Sequence, residues 1–192
     1  ATLVLLAASP TARADFASEC GGCHVGPTEG GRVNAAGSTS VIQRADTVNS
    51  MGTNAANWGA IASEIATALG STTQNANVAY GSSNNSIAVA KIVIAGSSVL
   101  NTLERVSGPT SVSFTAGSNS LSYDHTAGNC SNQTLVVRGR DSGSTAFTSN
   151  RTINISVTAP SDPVAANDST TINYSTGATG INLRTIGAAS GR

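Results

Sequence analysis

The sequence predicts a two-part chain, a small all-α unit followed by an antiparallel β-sandwich, that is, a multidomain α plus β protein. Three observations carry this. Apolar residues before Ser71 recur at helical spacing, those after it alternate with period two, and two short strand patterns return at one fixed offset. A length of 192 residues leaves room for one or two small domains.

Residues 2–8 are apolar and are followed by Ser9, Pro10 and Ala12-Arg13-Ala14. A short apolar core ending in an A-x-A site reads as the remainder of a secretory signal peptide over residues 1–14, with a buried N-terminal strand as the alternative. The run is too short to span a bilayer. Residues 15–73 form the helical unit. A first helix starts near Asp15 and places Phe16 and Cys20 one turn apart. Residues 25–37, with Pro27 and several glycines, read as loop. A short helix over 40–46 turns Val41, Ile42 and Ala45 inward. Over 57–70, Trp58, Ile61, Ile65 and Leu69 are spaced three, four and four apart, one face of an amphipathic helix. Asn54 or Asn57 can cap its start and Gly70 stops it.

Residues 74–159 read as the sandwich. Strands are expected near 78–80, 87–94, 111–115, 121–125, 134–138 and 152–158. Leu121, Tyr123 and His125 alternate with Ser122 and Asp124, and Ile153, Ile155 and Val157 with Asn154 and Ser156. Ala116-Gly117-Ser118-Asn119 is a hairpin candidate. Val78-Ala79-Tyr80 and Ile87-Ala88-Val89 recur as Ile172-Asn173-Tyr174 and Ile181-Asn182-Leu183, each 94 positions on (78 to 172, 87 to 181). Residues 160–192 are therefore expected to be a linker and the start of a second β repeat. Such strands need partners, from a longer array or by self-association through this C-terminal strand.

Charged residues make up 10% of the chain and the net charge is zero, with Lys91 the single lysine. No basic stripe suits nucleic acid and no polybasic segment suits an anionic membrane. Low charge with many small polar residues fits a periplasmic or cell-surface protein. The helical unit is mildly acidic, with Asp15, Glu19, Glu29, Asp46 and Glu64 against Arg32 and Arg44.

The chemistry is concentrated in Cys20-Gly21-Gly22-Cys23-His24. This C-x-x-C-H run is the attachment signature of c-type haem: two thiols can each add to one vinyl group of a porphyrin, and the next histidine reaches the iron. Export would bring both cysteines to the compartment where that attachment occurs. For the other iron face the candidates are Met51, in a turn between helices, and His125, which reads more naturally as a core histidine of a strand. Cys130 has no partner once the other two cysteines carry haem, and is expected to be a buried free thiol. Asp162 and Asp168 are too few to make a calcium site.

The stretch 15–69 resembles a compact class I c-type cytochrome domain, through its helix into C-x-x-C-H, Gly-rich loop, Ile42-Gln43 on a middle helix, methionine and closing helix. The strand region resembles bacterial cadherin-like or immunoglobulin-like repeats, through its pattern and Pro163-Val164-Ala165-Ala166-Asn167-Asp168. The first resemblance implies one covalent haem c, with Cys20 and Cys23 as thioether attachments, His24 as proximal ligand and Met51 as distal ligand. A proline carbonyl, here from Pro27, often accepts the ring N–H of the proximal histidine in that family. Phe16 and Trp58 are expected near the ring or as ordinary core aromatics. Six-coordinate Met/His iron suits electron transfer with redox partner proteins rather than catalysis. The alternative is a surface adhesion or scaffold protein in which the haem part is accessory.

Overall fold

The computed structural model describes residues 16–52 and 55–159. The expected signal remnant, Asp15, the Asn54 cap, and the linker and second repeat with Asp162 and Asp168 lie outside the described residues.

The helical segments are α1 (Phe16–Glu19), a 3-10 turn (Gly30–Ala35), α2 (Thr39–Asn49), a second 3-10 turn (Ala55–Asn57) and α3 (Trp58–Leu69). Ser38 caps α2 by accepting the Val41 N–H. Ile61 and Ile65 of α3 are buried, each contributing about 1.5–3 kcal/mol by burial. Gly70 ends α3 with φ +67, a backbone shape that suits glycine. Asn57 sits at the N-cap but makes no cap hydrogen bond, because its amide donates to Glu19 Oε1 instead (2.7 Å).

Among the described residues seven strands follow: β1 (Thr73–Ala79), β2 (Asn85–Ala88), β3 (Thr102–Ser107), β4 (Val112–Phe114), β5 (Ser120–Tyr123), β6 (Gln133–Arg140) and β7 (Arg151–Thr158). They form two sheets, in the orders β1-β7-β6-β3 and β2-β5-β4. The 116–119 turn joins the antiparallel pair β4–β5 as expected. Pairing is antiparallel except between β1 and β7, which run parallel. These two are the first and last strands, so no tight turn dictates their direction.

The strand expected over 87–94 ends at Ala88. Val89, Ile92 and Ile94 are buried all the same, and Lys91 takes φ +59 between them. Side-chain amides replace the missing ladder. Gln74 bonds the Ala88 carbonyl and the Ala90 N–H, and Asn34 bonds both polar groups of Val93. Asn119 accepts from Ile94 and Ala95. Buried backbone groups need such partners.

The resemblance to a class I c-type cytochrome domain followed by a cadherin-like or immunoglobulin-like repeat is overturned. The described residues form a mostly β structure of mixed helix and strand, with no all-α haem domain. Among them no group of three or more His, Cys, Asp and Glu side chains is placed to hold a metal ion. The physical reason is visible in the core. Phe16, Ile42, Ile61 and Ile65 belong to the same hydrophobic cluster as Val78, Leu135 and Ile155. The helical segments pack on one another, but their apolar cluster is continuous with that of the strands, so they do not close a separate core.

Polar links reinforce that junction. Arg44 of α2 pairs with buried Asp141 at 2.7 Å. The Gly143 N–H holds the Asp141 carboxyl below the usual carboxylate range; burial opposes this, and Arg44 and Ser144 add to the lowering. The unfolded chain thus binds this proton more readily. The resulting stability is complete above the unfolded value, about 4, and is lost as pH falls through the lower folded value. Asp141→Asn is expected to cost about 1–3 kcal/mol at pH 7 and to flatten the acid limb. Urea midpoints at pH 7 and pH 3 check this; the same loss at both would contradict it.

Candidate functional site

The motif is one further helical turn beyond α1. The Cys20 N–H donates to the Phe16 carbonyl (2.8 Å), the Cys23 N–H to the Cys20 carbonyl (3.1 Å), and the His24 N–H to the Cys20 carbonyl (2.9 Å). Cys20, Cys23 and His24 stand at i, i+3 and i+4, positions that share one face of a turn. At Gly21 a Cβ would collide with the Ala17 carbonyl, so the motif requires glycine there. The short α1 is held from outside itself. Glu64 of α3 accepts the Phe16 N–H at 2.7 Å, and the Asn57–Glu19 contact fixes its other end.

Cys20 and His24 open onto a cavity of about 260 Å³. Phe16, Val41, Ile42, Ile61 and Ile65 give it an apolar interior, and Met51 joins the lining. The left-handed Ser50 (φ 52) ends α2 and turns the chain into Met51, which is 38% exposed. Three of the four residues singled out in the sequence thus converge on one cavity. Cys23 is exposed and lies outside the lining.

No protein-family model and no curated protein matches this chain.

His125 does not share the cavity. It is buried just beyond β5, its Nδ1 accepting the Gly81 N–H at 3.0 Å, beside the rings of Tyr80 and Tyr123. The core reading of this residue holds. Cys130 is exposed, which corrects the expectation of a buried thiol; its loop between β5 and β6 carries no apolar cover. Phe16 lines the cavity, its ring centroid 6.3 Å from that of His24, whereas Trp58 lies outside the lining.

The sequence reading missed Arg32. Its guanidinium spans the Gly26 carbonyl (2.6 Å), Glu29 (2.9 Å) and His24 Nδ1 (3.0 Å). Arginine only donates, so Nδ1 is the acceptor and neutral His24 carries its hydrogen on Nε2. The partner of Nδ1 is thus Arg32 and not the carbonyl of Pro27. No spacing rule in the sequence marks an arginine eight residues past the histidine.

Burial pushes the Cys20 thiol up, with Glu19, Glu64 and Cys23 adding to the shift. A dithiol oxidoreductase needs the reverse, a thiolate stabilised by nearby positive charge. Cys20 is therefore poorly suited to disulfide exchange.

Proposed function

We propose that this chain is an exported electron carrier, periplasmic or at the cell surface, with one haem c bonded to Cys20 and Cys23. The observation that carries the reading is the convergence of a thiol, an imidazole and a thioether on one apolar cavity, with Cys23 on the same turn. That donor set fits the group. Bound there, it would supply an Fe(II)/Fe(III) couple that exchanges one electron with a redox partner protein.

Each residue has a defined task. The Cys20 and Cys23 thiols would hold the porphyrin covalently, and His24 and Met51 would hold its iron. For His24 to bind through Nε2, its hydrogen would have to sit on Nδ1, and Arg32 would have to release that nitrogen. Phe16, Val41, Ile42, Ile61 and Ile65 exclude water. The two sheets act as a β-sandwich spacer or anchor. No helix among the described residues is long and apolar enough to cross a membrane.

The test is a reduced-minus-oxidised visible spectrum of the full chain from cells competent in haem c maturation, with a denaturing gel stained for haem. A stained band is expected in the wild type and none after combined Cys20→Ser and Cys23→Ser. A colourless wild-type chain would overturn the reading.

A further inference from the structure

We infer that the connection between β2 and β3, at Gly96, Ser97, Ser98 and Val99, is the wall that governs water access to the redox centre. The strand region then tunes that centre and does more than space it. The inference rests on the haem reading above.

These four residues line the same cavity as Cys20, His24 and Met51, on chain that belongs to neither α1, α2 nor α3. Val99 is buried, at 9% exposure. The wall is also fixed in place. Ser97 Oγ accepts from the N–H groups of Val99 and Leu100, and the Ser97 N–H donates to the Ile94 carbonyl. Asn49, at the end of α2, donates to Ser98 Oγ at 3.1 Å. Asn34, itself in the lining and 1% exposed, bonds the Val93 carbonyl (2.7 Å) and N–H (2.9 Å) just ahead of this segment, like a strand partner. A loop tied at so many points holds its shape.

The physical consequence follows from charge. The oxidised centre carries one more positive charge than the reduced one, and water or a carboxylate stabilises the more charged form. A wall that keeps water from the centre, with buried Val99 at its inner side, therefore raises the reduction potential. Opening or charging that wall lowers it.

Two variants of the haem-loaded full chain test this. Val99→Ala opens the wall, and Ser98→Asp, at an exposed position, adds a charge without touching the core. Both are expected to lower the potential. The controls Val137→Ala in the strand core and Ser113→Asp on β4 are expected to leave it unchanged. Potentials equal to wild type in both wall variants would overturn the inference while the haem reading stands.

A second arm uses the haem-free full chain with Cys23→Ser and Cys130→Ser. Maleimide labelling of Cys20 is expected to run several-fold faster with Val99→Ala, and at the parent rate with Val137→Ala. Equal rates with and without Val99→Ala would overturn the wall. Absence of covalent haem in the wild type would instead overturn the function on which the inference rests.

Discussion

Arg151→Ala is expected to destabilise the fold by roughly 3–5 kcal/mol, because four carbonyls, one of them on buried Val33, lose their donor and a cavity opens. Arg151 begins β7 and is 1% exposed. Its Nε donates to the Lys91 carbonyl at 3.0 Å, and Nη1 reaches the Ser149 and Asn150 carbonyls and Ser149 Oγ. Nη2 reaches the Val33 carbonyl at 3.4 Å. One guanidinium thus joins β7, the Lys91 turn and the first 3-10 segment. Burial pushes its pKa down to about 10, so it remains a cation at pH 7. Among the described residues no carboxylate is its partner; the carbonyl dipoles offset the desolvation of the charge. Arg151→Lys is expected to recover little, since a compact ammonium cannot present the same planar fork. Urea unfolding at pH 7 measures both variants. A loss below about 1 kcal/mol for Arg151→Ala would show that water replaces the guanidinium at these carbonyls.

Regular stretches of the fold were legible because their side chains repeat the geometry of their element. The three-four-four spacing of Trp58, Ile61, Ile65 and Leu69 located α3, and the alternation in 153–157 located β7. β3 was missed for a local reason: its apolar residues Leu103 and Val106 stand three apart with Glu104 and Arg105 between them, so they do not alternate, and the register shifts between Arg105 and Ser107. A bulge breaks the period of two on which the reading relies. The 87–94 run misled in the other direction. Its apolar content is real, but Lys91 interrupts the strand and Asn34, Gln74 and Asn119 serve the backbone from afar. Such contacts span up to 59 residues of sequence and leave no spacing signal. The same holds for the shared core. Nothing in the apolar pattern of α3 says that the cluster it joins, shared with α2 and the first 3-10 turn, continues into the residues of the strands. The cavity was legible where its lining is local, at Cys20 and His24. It was illegible where the wall comes from 96–99 or the histidine partner from Arg32.

On the proposed haem reading, Met51→Ala is the substitution expected to change the centre most without dismantling it. Of the two side chains the sequence offered for the second iron face, Met51 lines the cavity and His125 does not. Removing a thioether ligand lowers the reduction potential, because sulfur ligation favours the reduced form relative to a harder ligand or water. It also leaves one axial position open. The wild-type reduced protein is expected to bind little carbon monoxide, and the variant to bind it in nearly every molecule. His125→Ala supplies the contrast. It strips the Gly81 N–H of its acceptor and should cost about 1–3 kcal/mol of stability, with carbon monoxide binding and potential unchanged. A carbon monoxide titration followed in the visible spectrum, alongside potentiometry, separates the two. If Met51→Ala behaves as wild type in both measurements, the thioether is a cavity-wall residue and the iron takes its second ligand from elsewhere.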